Sequence, residues 1–279
     1  MYFPDSVRAL AKETFTESIM LNSSTEVVDG LTAFLMGWTD VLSDEAKSFL
    51  DQTVTLTSEE MDKAMDEENY TGFVTDRPSS DGIYTGQLVD GYFHGQGKFI
   101  FPGGGVYEGQ WNFNKQHGYG TYTSVDGDTY IGDWANGTKE GYGVLTFADG
   151  SRYEGSWHNG SFHGNGTYYW SGGSSYTGEW VNGNRNGYGT LTYSDGSKYE
   201  GNWVDDVQSG KGVYYFSNGD RYDGEFSEGT KSGYGVYYWT DGTYHSGYWA
   251  NGMRHGWGQT VYPNGSSTTG TWENDVYIG

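Results

Sequence analysis

The sequence predicts a mainly β protein: a single-layer, elongated antiparallel sheet of hairpin repeats, open and twisted into a gutter, preceded by a small α-helical region. Three observations predict it. Aromatic residues recur every 23 positions from Tyr84 onward. Within each unit, rings and glycines alternate with polar side chains, the period of a strand with one packed face. Glycine (47 residues) and aromatics (18%) dominate, while hydrophobic residues reach only 34%, so a conventional aliphatic core is excluded.

Residues 1–69 read as α-helical. Asp5 caps a segment whose apolar face is Val7, Leu10, Ala11, Phe15 and Ile19. Ser23-Ser24-Thr25-Glu26 is a capping box before the stripe Val27, Val28, Leu31, Phe34, Leu35, Trp38, Val41 and Leu42. A second box, Thr57-Ser58-Glu59-Glu60, precedes Met61, Ala64 and Met65. These stripes read as the core of a small bundle. Residues 70–83, polar and containing Pro78, read as a linker.

Residues 84–279 are a repeat array of eight full units and a partial ninth. Tyr84, Tyr107, Tyr130, Tyr153, Tyr176, Tyr199 and Tyr222 mark the register, which His245 and Thr268 continue. Four glycine positions per unit absorb 33 of the 47 glycines. Low-complexity sequence would scatter them; fixed register means architecture. In Tyr153-Glu154-Gly155-Ser156-Trp157 the ring and glycine positions share one face. Asn159-Gly160 then supplies a turn in which both residues tolerate positive φ. Gly164-Asn165-Gly166 opens a second strand that carries Tyr168 and Trp170. Each unit is therefore a hairpin, with a ring from a neighbouring strand lying on bare glycine backbone. At ~4.8 Å per strand, eight units advance roughly 75–80 Å.

Tyr153-Glu-Gly-Ser-Trp157-His-Asn-Gly160 through His163-Gly164-Asn-Gly166, and Tyr107-Glu-Gly-Gln-Trp111 through His117-Gly118-Tyr-Gly120, resemble the MORN repeat (membrane occupation and recognition nexus). Departures are Leu88 for Trp, His245 and Thr268 for Tyr, and Asn114, Asp206 and Asp275 for the turn glycine. The resemblance implies scaffolding roles in cytoskeletal or membrane-junction assemblies. The kinase or methyltransferase domains attached to some such arrays have no counterpart here.

Composition narrows function further. With no cysteine, disulfides, Cys-type zinc sites and thiol nucleophiles are excluded. The net charge of -22 opposes phosphate backbones and anionic headgroups, so neither nucleic acid nor membrane lipid is the expected partner. Neither an apolar run of spanning length nor a basic leader is present, which reads as a cytoplasmic protein. His94, His117, His163 and His255 share one register position, but units ~10 Å apart cannot bring them to one metal. The Gly-x-Gly pairs complete no dinucleotide fingerprint. No catalytic constellation, cofactor or metal site emerges, and the chain reads as non-enzymatic.

The remaining candidate is the aromatic face. Tyr130, Trp134, Tyr153, Trp157, Trp170, Tyr176, Trp180 and Trp203 are the expected contacts for a protein partner, a helix or extended segment with basic and apolar side chains. The alternatives are glycan or small-ligand binding on these ring platforms, or lipid tethering. The strand around Thr268–Trp272 lacks a following strand of its own unit. It is therefore expected to pair with a second copy in a homodimer, while the helical region covers the opposite edge.

Overall fold

The computed structural model describes residues 70–279; the helices expected over 1–69, and any cover they give an edge, lie outside them. Nineteen strands form one open antiparallel sheet in which each strand pairs with its neighbours in sequence. A representative unit joins a seven-residue strand, Arg152–His158, to a nine-residue strand, Ser161–Tyr169. Asn159 and Gly160 turn between them at φ 49° and 77°, the left-handed pair that matches strand twist.

Each of the eight full-unit hairpins carries the same bulge. Gly155 pairs with Gly166, but Trp157 pairs with Phe162, so the register slips between them. Gly164 absorbs the slip at φ 60°, a conformation that glycine adopts without penalty. Pairing between hairpins is regular, with Gly178 opposite Gly166 and Trp180 opposite Gly164.

The three departures from turn glycine are each compensated by a side chain. Asn114 Oδ1 accepts the Phe93 amide at 2.6 Å, Asp206 Oδ1 the Arg185 amide at 3.1 Å, and Asp275 Oδ1 the Arg254 amide at 2.9 Å. Each residue therefore ties its turn to the hairpin before it.

Two edges differ from expectation. Within the segment read as a linker, Gly72–Ser79 form a strand paired to Gly82–Val89, with Val74 buried against the sheet. The polar run Asp76-Arg77-Pro78 concealed it, because an edge strand tolerates a proline that a central one would not. At the other end, Val276–Tyr277 fold back on Trp272 and Glu273. The Gly279 carbonyl then accepts the Thr271 amide at 2.7 Å. The strand expected to lack a partner thus has one over Thr271–Glu273, supplied by a turn at Asn274-Asp275 that is too short to resemble a full unit.

Candidate functional site

The eight rings expected to meet a partner divide seven to one. Tyr130, Tyr153 and Tyr176 are fully buried, and Trp134, Trp157, Trp180 and Trp203 nearly so. Trp170 alone is half-buried. The seven are core, for a reason that begins with the bulge. It leaves the Ser156 carbonyl without a partner inside its hairpin, and the Tyr153 hydroxyl donates to it at 2.9 Å. To reach it the ring lies flat across Gly155 of its own strand and Gly166 of the neighbouring strand, both within the same unit. Trp157 meets that ring edge-on at 5.3 Å and the Tyr130 ring of the preceding unit at 5.0 Å. Its indole N–H donates back to the Gly143 carbonyl at 3.2 Å. Burial pushes the Tyr130 and Tyr153 phenols well above the usual tyrosine range.

A third row completes the cover, and the sequence reading missed it. Phe93 stacks on Tyr84 at 3.9 Å, and Phe162 on Tyr153 at 3.8 Å. At the same register position stand cations. Lys139 Nζ lies 4.9 Å from both the Tyr130 and Trp157 rings, and Arg185 lies 4.3 Å from Trp203. Lys231 is 4.3 Å from Trp249 and Arg254 is 4.1 Å from Trp272. Desolvation lowers the affinity of Lys139 and Lys231 for their protons. The available signal was a spacing: Lys139, Arg185 and Lys231 fall 46 residues apart, two units. Their varied identity hid it.

Beyond that cover a strip of rings stays accessible. Tyr168 meets Trp170 at 4.8 Å. Further along, Tyr193, Tyr214, Phe216, Tyr237 and Trp239 form a continuous ladder with centroid separations from 4.6 to 6.1 Å. All of them are half-buried.

Comparison with known families matches the MORN repeat at residues 84–106, 107–129, 130–152, 153–175, 176–198, 199–221, 222–244 and 245–267. The chain belongs to the MORN-repeat family. No curated protein matches it. Among solved structures, the TCP10 domain of Danio rerio CPAP in complex with a peptide of Danio rerio STIL is 17% identical. That match covers 72% of this chain and 92% of that one, at a TM-score of 0.41. The SAS-4 (dCPAP) TCP domain of Drosophila melanogaster, bound to a proline-rich motif of Ana2, is 16% identical over 56% and 85% of the two chains, at 0.37. The G-box domain of the microcephaly protein CPAP is 16% identical over 73% and 100%, at 0.39.

The two faces of the MORN sheet differ in charge. The aromatic face carries Lys139, Arg185, Lys231 and Arg254, while the strand carboxylates Asp133, Glu154, Glu179 and Glu225 alternate onto the opposite face. These strand carboxylates therefore do not surround the rings that were expected to attract a basic partner. The acids on the aromatic side include the loop residues Asp206 and Asp275, paired with Arg185 and Arg254, and Asp220, which accepts from the Tyr237 hydroxyl at 2.8 Å. A shallow pocket of about 230 Å³ opens beside Arg185, Tyr193, Trp203, Asp206 and Gln208. Among the described residues no group of His, Asp or Glu is placed to hold a metal ion, and no helix is long and apolar enough to cross a membrane.

Proposed function

We propose that this MORN array is a non-catalytic scaffold that holds a peptide segment of a protein partner on its aromatic face. The observation that carries the reading is the continuous ladder from Tyr193 to Trp239, with Trp170 beside it. These rings are half-exposed and already held by tilted ring–ring contacts, so a partner gains contact area at little entropic cost. Lys139 and Lys231 make no ion pair with any described residue, so apolar anchors flanked by carboxylates suit this face. The seven buried rings act by fixing the strip in place.

Small-ligand or glycan binding ranks second, because the shallow pocket of about 230 Å³ falls below the ~300–1,000 Å³ usual for ligand sites. The test is Trp170→Ser with Trp239→Ser. Both rings are partly exposed, so the fold, followed by circular dichroism, should survive while partner capture is lost. Capture unchanged in the folded variant would refute the reading. Pairing of two copies through the exposed Val276–Ile278 segment is a separate proposal, tested by light scattering. A monomer across the concentration range would remove it.

A further inference from the structure

The face opposite the aromatic core carries a row of rings that the fold does not use. Tyr119, Tyr142, Tyr188, Tyr234 and Trp257 share one register position, interrupted by Asn165 and Lys211, and each is at least 50% exposed. Of these, only Tyr234 meets another ring among the described residues, Tyr248 at 5.7 Å. Polar side chains would serve the sheet equally well there. A row of large exposed rings without a structural task marks a contact surface.

The carboxylates beside the rings define what it contacts. Glu108, Glu154, Glu200 and Asp223 on this face are neutralised by Lys98, Arg152, Lys198 and Arg221. Asp133, Glu179 and Glu225 make no ion pair among the described residues, although Lys211 stands directly across the strand pair from Glu225, and each stands beside a ring. The Tyr142 amide donates to Asp133 Oδ2 at 3.0 Å, and the Tyr188 amide to Glu179 Oε1 at 3.1 Å. Glu225 lies over Gly233, next to Tyr234. A fixed carboxylate next to an exposed ring is a receptor for a cationic side chain, which takes an ion pair from one and a cation–π contact from the other.

We propose that this face docks a lysine- or arginine-rich extended segment of a protein partner, laid across the strands. The spacing sets its register. Asp133, Glu179 and Glu225 are 46 residues apart, four strands, or about 19 Å at ~4.8 Å per strand. An extended chain covers that distance in about six residues at ~3.3 Å each. The occupant therefore carries a basic residue at roughly every sixth position. The unpaired carboxylates thus recur every two units on this face.

The test uses the full chain and two fluorescein-labelled 13-residue Gly/Ser peptides, each with three arginines, titrated at low salt. One peptide has Arg at positions 1, 7 and 13; the other has them adjacent. The spaced peptide is expected to bind more tightly. Tyr142→Thr with Tyr188→Thr, which leaves the charge unchanged, is expected to weaken it about tenfold. Tyr142→Phe with Tyr188→Phe is expected to retain binding. Trp170→Ser with Trp239→Ser should leave it unaltered, which separates this site from the aromatic face. Equal binding of the two peptides, or spaced-peptide binding indifferent to the threonine substitutions, would reduce the effect to attraction by a net charge of -22 and overturn the proposal.

Discussion

Gly155→Val perturbs the contact on which the whole array depends. A Cβ built on Gly155 would lie 2.5 Å from the Gly166 Cα, 2.7 Å from the Asn165 carbonyl oxygen and 2.7 Å from the Tyr153 hydroxyl. Ordinary contact begins near 3.4 Å, and two of these atoms are backbone. The partner strand must therefore retreat by close to ~1 Å, or the Tyr153 ring must leave Ser156. Overpacking of this kind costs ~1–3 kcal/mol, and loosening the hydroxyl bond adds about 1. Valine should then destabilise the central units by about 2–4 kcal/mol. Because the Tyr130 and Trp180 rings pack around this site, the loss should spread to both flanking units. Gly172→Ala is the control. It has no atom within 4 Å of the added Cβ, so it should be neutral or gain ~0.4–1 kcal/mol through the unfolded chain. Urea unfolding and hydrogen exchange over residues 130–200 read both variants. Unchanged exchange in Gly155→Val, or equal effects of the two substitutions, would refute ring-over-glycine packing.

Three further predictions follow from single contacts. Tyr153→Phe keeps the ring but leaves the Ser156 carbonyl without its hydroxyl donor, and should cost about 1 kcal/mol in urea unfolding. Asp206 sits at φ 68°, and its side chain accepts from Arg185 at 3.1 Å, so Asp206→Ala should lower the thermal midpoint more than Asp206→Gly, which relieves the backbone. His245 fills the tyrosine slot, fully buried, with Nε2 unpartnered and burial holding its pKa down to about 4. Between the unfolded value near ~6.5 and about 4, only the unfolded chain binds this proton, so stability falls as pH falls through that window, by at most about 3 kcal/mol. His245→Tyr should remove that part of the acid sensitivity, measured as the difference in urea midpoint between pH 7 and pH 4.5.

Much of this was legible because the repeat is written in sterics. Tyr, Gly and Trp at fixed spacing specify the ring and the bare backbone, so the packed face could be read from Tyr153–Trp157, and the hairpin from the turn Asn159-Gly160 and the second strand Gly164–Trp170. What the sequence concealed was accessibility. A period shows which residues share a face but not which one lies on top. Phe162 covering Tyr153, and Lys139 covering Tyr130 and Trp157, turned the expected contact residues into core. The strand Gly72–Ser79 was hidden for another reason: an edge strand needs only one packed residue, Val74, and leaves no alternation to detect. The charge of each face was hidden likewise, since the net value of -22 says nothing of how the sheet's pleat sorts Lys139 from Asp133.

The most direct test of the scaffold reading is capture from the native source by the intact chain, compared with Trp170→Ser/Trp239→Ser, followed by mass spectrometry. The reading predicts a protein retained by the parent chain and lost by the variant while both give the same β-type circular dichroism. The same proteins retained at the same level by both would contradict it.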